Sequence, residues 1–189
     1  KIKYEATTDK PTVIGLTNHS YFNLKGAGNG TVRDHILQIN ADFHTVLDDT
    51  ASPTGEIRPV DNSPFDFRQP VVIGDVIDAP EYVPGRGIDT NWTIRKKQPK
   101  ELALAATLYE PISGRKMDVL TTQPGVQVYT ANWVEKQPGK YGKIYSEQDS
   151  ICLETQNFPN SPNIAHFPSS VLRPGERYEE WCVYRFGVE

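Results

Sequence analysis

Cysteine is scarce in this chain: Cys152 and Cys182 are the only two in 189 residues. Two thiols with no histidine near them in sequence do not make a structural zinc centre of four ligands. Nor can they carry a disulfide framework. Both fall in strand-like segments, so reduced, buried thiols in a cytoplasmic setting are expected. Long apolar runs are also missing, and none approaches the roughly 20 residues of a membrane span. A surplus of positive charge is missing too: 20 Lys and Arg stand against 24 Asp and Glu, a net charge of −4. That balance carries no footprint for nucleic acid or an anionic membrane, so neither partner is expected. Arg95-Lys96-Lys97 is the one short basic cluster, and it reads as a solvated face. Sustained helical periodicity is absent, and only Val72 to Asp78 suggests a short helix or helical turn.

What the chain does have is turn-forming residues. Prolines and glycines gather in Ser52-Pro53-Thr54-Gly55, Val83-Pro84-Gly85-Arg86-Gly87, Gln123-Pro124-Gly125 and Arg173-Pro174-Gly175. Proline fixes φ and glycine supplies positive φ, so each cluster sets a turn. Between turns, segments 1–8, 12–19, 35–41, 56–60, 91–96, 101–109, 115–122, 126–132, 149–155 and 180–188 carry strand signals. They are short and rich in Val, Ile, Thr and Tyr. The expected fold is all-β, a large antiparallel β-sandwich. No repeat, low-complexity tract or linker divides it, so one domain is expected. Stretches 61–90 and 156–175 are longer than hairpin loops, and long ordered loops often carry function. Residues 1–8 read as a strand already under way, which needs a neighbour for its backbone. A portion of a longer polypeptide is therefore expected.

Two ionisable residues stand out. His19 lies in Thr17-Asn18-His19-Ser20-Tyr21-Phe22-Asn23-Leu24, at the end of an expected strand. Asn18, Ser20, Tyr21 and Asn23 crowd it with polar and aromatic groups, a composition that suits sugar hydroxyls and C–H faces. A capped turn holding a structural His is the alternative. Glu154 ends the apolar run Ser150-Ile151-Cys152-Leu153. Alternation sends Ile151 and Leu153 to one face, Cys152 and Glu154 to the other. A carboxylate on a largely buried strand is either paired structurally or functional, and partial desolvation would make it a better base. A proton donor and a proton acceptor are the minimum for acid–base chemistry on a neutral substrate.

Two further runs add candidates. Gly87-Ile88-Asp89-Thr90-Asn91-Trp92 sets an acid and an amide beside an aromatic at the end of a long loop. In Gly125-Val126-Gln127-Val128-Tyr129, alternation puts Gln127 and Tyr129 on one face, either a polar groove or a solvated sheet surface. Asn18 and Tyr129 join Asp89 and Gln127 as candidate substrate contacts. His35, His44 and His166 read as structural or surface histidines. Asp42, Asp48, Asp49, Asp61 and Asp66 are dispersed among turns without calcium-loop spacing, so no metal is expected.

Together these motifs resemble the aldose 1-epimerases, the galactose mutarotases. The runs are TNHSYFNL at 17–24, Asp34-His35 through Ala41-Asp42, PTGE at 53–56 and SPFDFRQP at 63–70. TTQPGVQVYTAN at 121–132, LETQNFPNSPN at 153–163 and LRPGERYEEWCVYRF at 172–186 complete them, in matching order and spacing. The match runs over essentially the whole chain but covers only the C-terminal portion of that family's single domain.

The resemblance implies a galactose mutarotase-like supersandwich, here incomplete, and interconversion of α and β anomers of free aldohexoses such as galactose and glucose. It implies His19 as general acid on the ring oxygen and Glu154 as general base on the C1 hydroxyl. Asp89 and Gln127 fall on pocket positions. No cofactor, metal or covalent nucleophile is implied. Thr90 stands where the family usually has His. The family's substrate-binding arginine and second histidine belong to an N-terminal portion outside the match. Residues 1–189 alone are therefore expected to be weakly active at best, and the N-terminal segment, as a separate chain, is a candidate partner. The alternatives are a non-catalytic carbohydrate-binding relative and a hexose-6-phosphate 1-epimerase. The second calls for a basic phosphate cluster, and no arginine grouping of that kind appears.

Overall fold

The computed structural model describes residues 1–189. Pleated strands with one apolar face bury it by stacking, and two six-stranded antiparallel sheets do so here. The first runs, in spatial order, Ile2–Ala6, Tyr178–Val188, Arg115–Thr121, Ala103–Glu110, Ile36–Ile39 and Val71–Val72. The second runs Tyr21–Phe22, Ile151–Gln156, Gly125–Tyr129, Asp89–Ile94, Ala41–Leu47 and Pro53–Pro59. Leu37, Ile39, Leu108, Met117 and Val119 of the first sheet meet Trp92, Val126, Val128, Ile151 and Leu153 of the second in one buried core. The residues between those of the second sheet are thereby presented on its opposite face.

The expected all-β sandwich is what forms, and the short helix falls at Ile73–Val76. Three local expectations change. The strand expected over 12–19 is only Thr12–Val13, paired with Val171–Leu172. Beyond it the backbone is satisfied piecemeal: Ile14 N donates to Ser170 O at 2.8 Å, and Ser20 N donates to Asn18 Oδ1 at 3.2 Å. An Asx-type turn of this kind offers the backbone an alternative to a ladder. His19 therefore sits on a turn, not on a strand.

The segment expected over 35–41 breaks at Asn40. Ile36–Ile39 belongs to the first sheet and Ala41–Leu47 to the second, so the chain changes sheets there. Asn40 anchors the corner by donating from N to Ala105 O and from Nδ2 to Leu104 O. The basic cluster is not wholly solvated either. Lys96 is half-buried and donates to Glu101 O and Thr121 O, both at 2.7 Å. Cys152 and Cys182 are buried and free, as expected.

Candidate active site

Strand register assembles the site. Across the second sheet, Tyr21 pairs with Cys152, Cys152 with Tyr129 and Tyr129 with Asp89. One step along, Glu154 pairs with Gln127 and Gln127 with Asn91. Residues paired across strands share a face, and so do residues two apart on one strand. Glu154, Gln127, Asp89, Tyr129, Cys152 and Asn91 thus converge from three adjacent strands.

His19 reaches this face from its turn. Its Nε2 lies 3.3 Å from Glu154 Oε1, with the His19 side chain 48% exposed and that of Glu154 9% exposed. The imidazole packs against Tyr21 at 5.1 Å between ring centroids, and meets Tyr129 edge-on at 6.0 Å. Gln127 Nε2 donates to Asp89 Oδ1 at 2.7 Å. The Tyr129 hydroxyl accepts from Trp133 N at 2.9 Å, which fixes its ring. His19, Glu154, Asp89, Gln127 and Tyr129 are therefore brought together. Asn18 is adjacent in sequence, but its Oδ1 is engaged by Ser20 N and lies 3.3 Å from the Tyr184 hydroxyl. That hydroxyl also lies 3.0 Å from Leu153 O, tying the His19 turn to the Glu154 strand.

Burial dominates the electrostatics. It pushes the Glu154 carboxyl above the ordinary glutamate value, with His19 drawing it back and Asp89 adding to the rise. The Asp89 carboxyl is raised by burial as well, opposed by the Gln127 hydrogen bond and by His19. Two carboxylates sharing a partly desolvated face push each other towards the protonated form.

The loop before Asp89 is held by Asn132. Its Nδ2 donates to Gly85 O and Ile88 O, both at 2.9 Å. Gly87 sits at φ +141°, and a Cβ there would come within 2.4 Å of Asn132 Oδ1. Thr90, between Asp89 and Asn91, alternates to the other face with Trp92. At the far end, the Phe158 ring lies close against Gly125, and the 157–168 loop reaches Gly55 O through His166 Nε2 at 2.7 Å.

The remaining histidines are committed elsewhere. His35 is buried and accepts from Leu24 N at 3.1 Å, and His44 stacks on Phe65 at 3.9 Å. A cavity of about 800 Å³ between Lys96, Gln123, Asn157 and Tyr178 includes none of the converging residues. Chemistry rather than volume marks the site.

Sequence reading named Tyr21 and Asn91 only as neighbours of His19 and Asp89, and did not mark Cys152 as a site residue. Asn91 is 1% exposed, and neither amide atom has a hydrogen-bond partner. The signal for it was alternation with Asp89, two residues before. Cys152 seemed to lack a histidine partner, yet folding brings ligand atoms of His19, Cys152 and Glu154 within 4.8 Å of one another. That is the donor set here able to hold a metal ion.

Comparison with known proteins points in one direction. A family model described as aldose 1-epimerase matches residues 1–185. Galactose mutarotase of Mus musculus is 42% identical over 188 residues, spanning 99% of this chain and 54% of that protein. Aldose 1-epimerase of Haemophilus influenzae is 34% identical, over 98% of this chain and 55% of that protein. Among solved structures, an aldose epimerase homologue from C. elegans superposes with a TM-score of 0.85 at 32% identity, covering 98% of this chain and 55% of that one. The chain spans about half the length of the curated relatives it matches.

Proposed function

The chain belongs to the aldose 1-epimerase family, and on that premise we propose that it interconverts the α and β anomers of a free aldohexose such as galactose or glucose. His19 is the general acid and Glu154 the general base. Glu154 takes the proton of the C1 hydroxyl while His19 delivers one to the ring oxygen. The bond from C1 to the ring oxygen breaks, leaving an open-chain aldehyde. Rotation about C1–C2 turns its other face, and the reversed transfers close the ring, with no net gain or loss of protons.

The observation that carries this reading is the 3.3 Å separation of His19 Nε2 and Glu154 Oε1. The two oxygens that exchange protons are bonded to the same carbon, so acid and base must stand side by side. Asp89 and Gln127, hydrogen-bonded to each other beside that pair, are placed to hold sugar hydroxyls, and Tyr21 and Tyr129 to meet C–H faces. Asn18 serves chiefly to shape the turn that presents His19. A hemiacetal already opens in water, so positioned proton transfer, worth about 10²–10⁴-fold per group, suffices. The free buried thiols support a cytoplasmic setting.

Polarimetry of freshly dissolved α-galactose and α-glucose tests the proposal. Glu154→Gln should lower the enzymatic rate by about 10²–10⁴-fold while sugar binding, followed by calorimetry, is largely kept. Binding without any rate above the spontaneous one would instead make this a carbohydrate-binding relative. Neither binding nor rate would overturn both.

A further inference from the structure

We propose that His19, Cys152 and Glu154 form an inhibitory site for a soft divalent cation such as Zn²⁺, which blocks the proton path by binding both of its ends. The binding itself rests on geometry. The inhibitory consequence rests on the reading of His19 and Glu154 as acid and base.

Imidazole, thiolate and carboxylate are the three donor types that zinc takes from proteins. Tetrahedral zinc with bonds of about 2.0–2.3 Å sets its ligand atoms roughly 3.3–3.5 Å apart. His19 Nε2 and Glu154 Oε1 already stand at 3.3 Å, and the full set of ligand atoms lies within 4.8 Å. Of the three ligands His19 is the one best able to adjust, since it rides on a half-exposed turn while Cys152 and Glu154 share a strand. Three protein ligands leave a fourth position for water, the open arrangement of non-structural zinc sites.

The surroundings favour a dication. Asp89 adds a second carboxylate to the same face, close enough to act on both Glu154 and Cys152. No lysine or arginine pairs with Glu154; its one ionic partner is His19. The entry route is the exposed imidazole, because Cys152 is itself fully buried, with Tyr21 and Tyr129 on the strands to either side. On binding, the metal–sulfur bond forms as the thiol proton leaves to solvent. A coordinating thiol is deprotonated outright.

Cobalt(II), a spectroscopic substitute for zinc, gives the decisive measurement on the intact chain. Wild type should develop tetrahedral d–d bands and a sulfur-to-metal charge-transfer band that saturate together and are displaced by zinc. Cys152→Ser should lose the charge-transfer band, and His19→Ala, on an exposed turn, should weaken cobalt binding with the fold intact. Losing a ligand should cost at least the 10–100-fold in affinity that loss of a supporting hydrogen bond costs. In polarimetry, with each rate taken relative to that protein's own zinc-free rate, Cys152→Ser should require at least about tenfold more zinc for half-inhibition. Absence of the charge-transfer band in wild type, or unchanged zinc inhibition in a folded Cys152→Ser, overturns the site. A band with no mutarotation leaves the site standing and removes the functional reading. Mutarotation with no band does the reverse.

Discussion

Glu154 is a buried acid, and its stability effect has a definite sign. Its carboxyl is raised, first by burial, above the value of 4.5 expected when unfolded. The folded state therefore holds that proton more tightly. The resulting stability is fully present below pH 4.5 and is lost as pH rises through the folded-state pKa. At neutral pH the charged side chain costs stability. Glu154→Gln should thus raise the thermal midpoint at neutral pH as it lowers the rate, and the gain should shrink as pH falls towards 4.5. Melts of both proteins across that range check it. The rate should likewise fall on the acid side at a pH above that of an ordinary glutamate, because the base must be ionised. Gln127 also acts through Asp89. Removing its bond to Asp89 in Gln127→Leu should raise the Asp89 carboxyl further and raise KM more than it lowers kcat, as steady-state rates in varied sugar would show.

At the scale of elements, what matters is which strands the chemistry rides on. Gly125 shows how tightly these are fitted: an added Cβ would lie 2.4 Å from Asn91 Oδ1 and 3.0 Å from the Phe158 ring. Gly125→Ala should cost about 1–3 kcal/mol, the usual penalty for overpacking. A lowered urea midpoint at unchanged slope would record it. The Glu154 and Gln127 strands were legible in sequence because alternation of Ile151, Cys152, Leu153 and Glu154, and of Val126 to Tyr129, carries through into opposite faces. The His19 turn was not, because Thr12, Val13, Ile14 and Leu16 carry strand-like composition up to it while the Asn18 side chain captures the backbone locally. The corner at Asn40 escaped as well: a strand that changes sheets keeps its apolar pattern, and only long-range partners such as Leu104 and Ala105 reveal the break. Pairings such as Tyr21 with Cys152, separated by most of the chain, leave no local trace.

Over the whole molecule, the two sheets are joined under the site by Tyr184, whose hydroxyl reaches Leu153 O and Asn18 Oδ1 from the other sheet. Tyr184→Phe removes those contacts from a half-buried position. It should cost about 1 kcal/mol, with faster amide exchange in residues 17–20 than in wild type. The register that assembles the site also couples it to the core, since Leu153 faces the core between Cys152 and Glu154 on the other face. A slip of one residue would exchange those faces. In genetic terms, a missense change at Glu154 leaves the register standing and should touch only the face that carries the site. Losing a single codon anywhere from 151 to 154 should shift the register and disturb site and core at once.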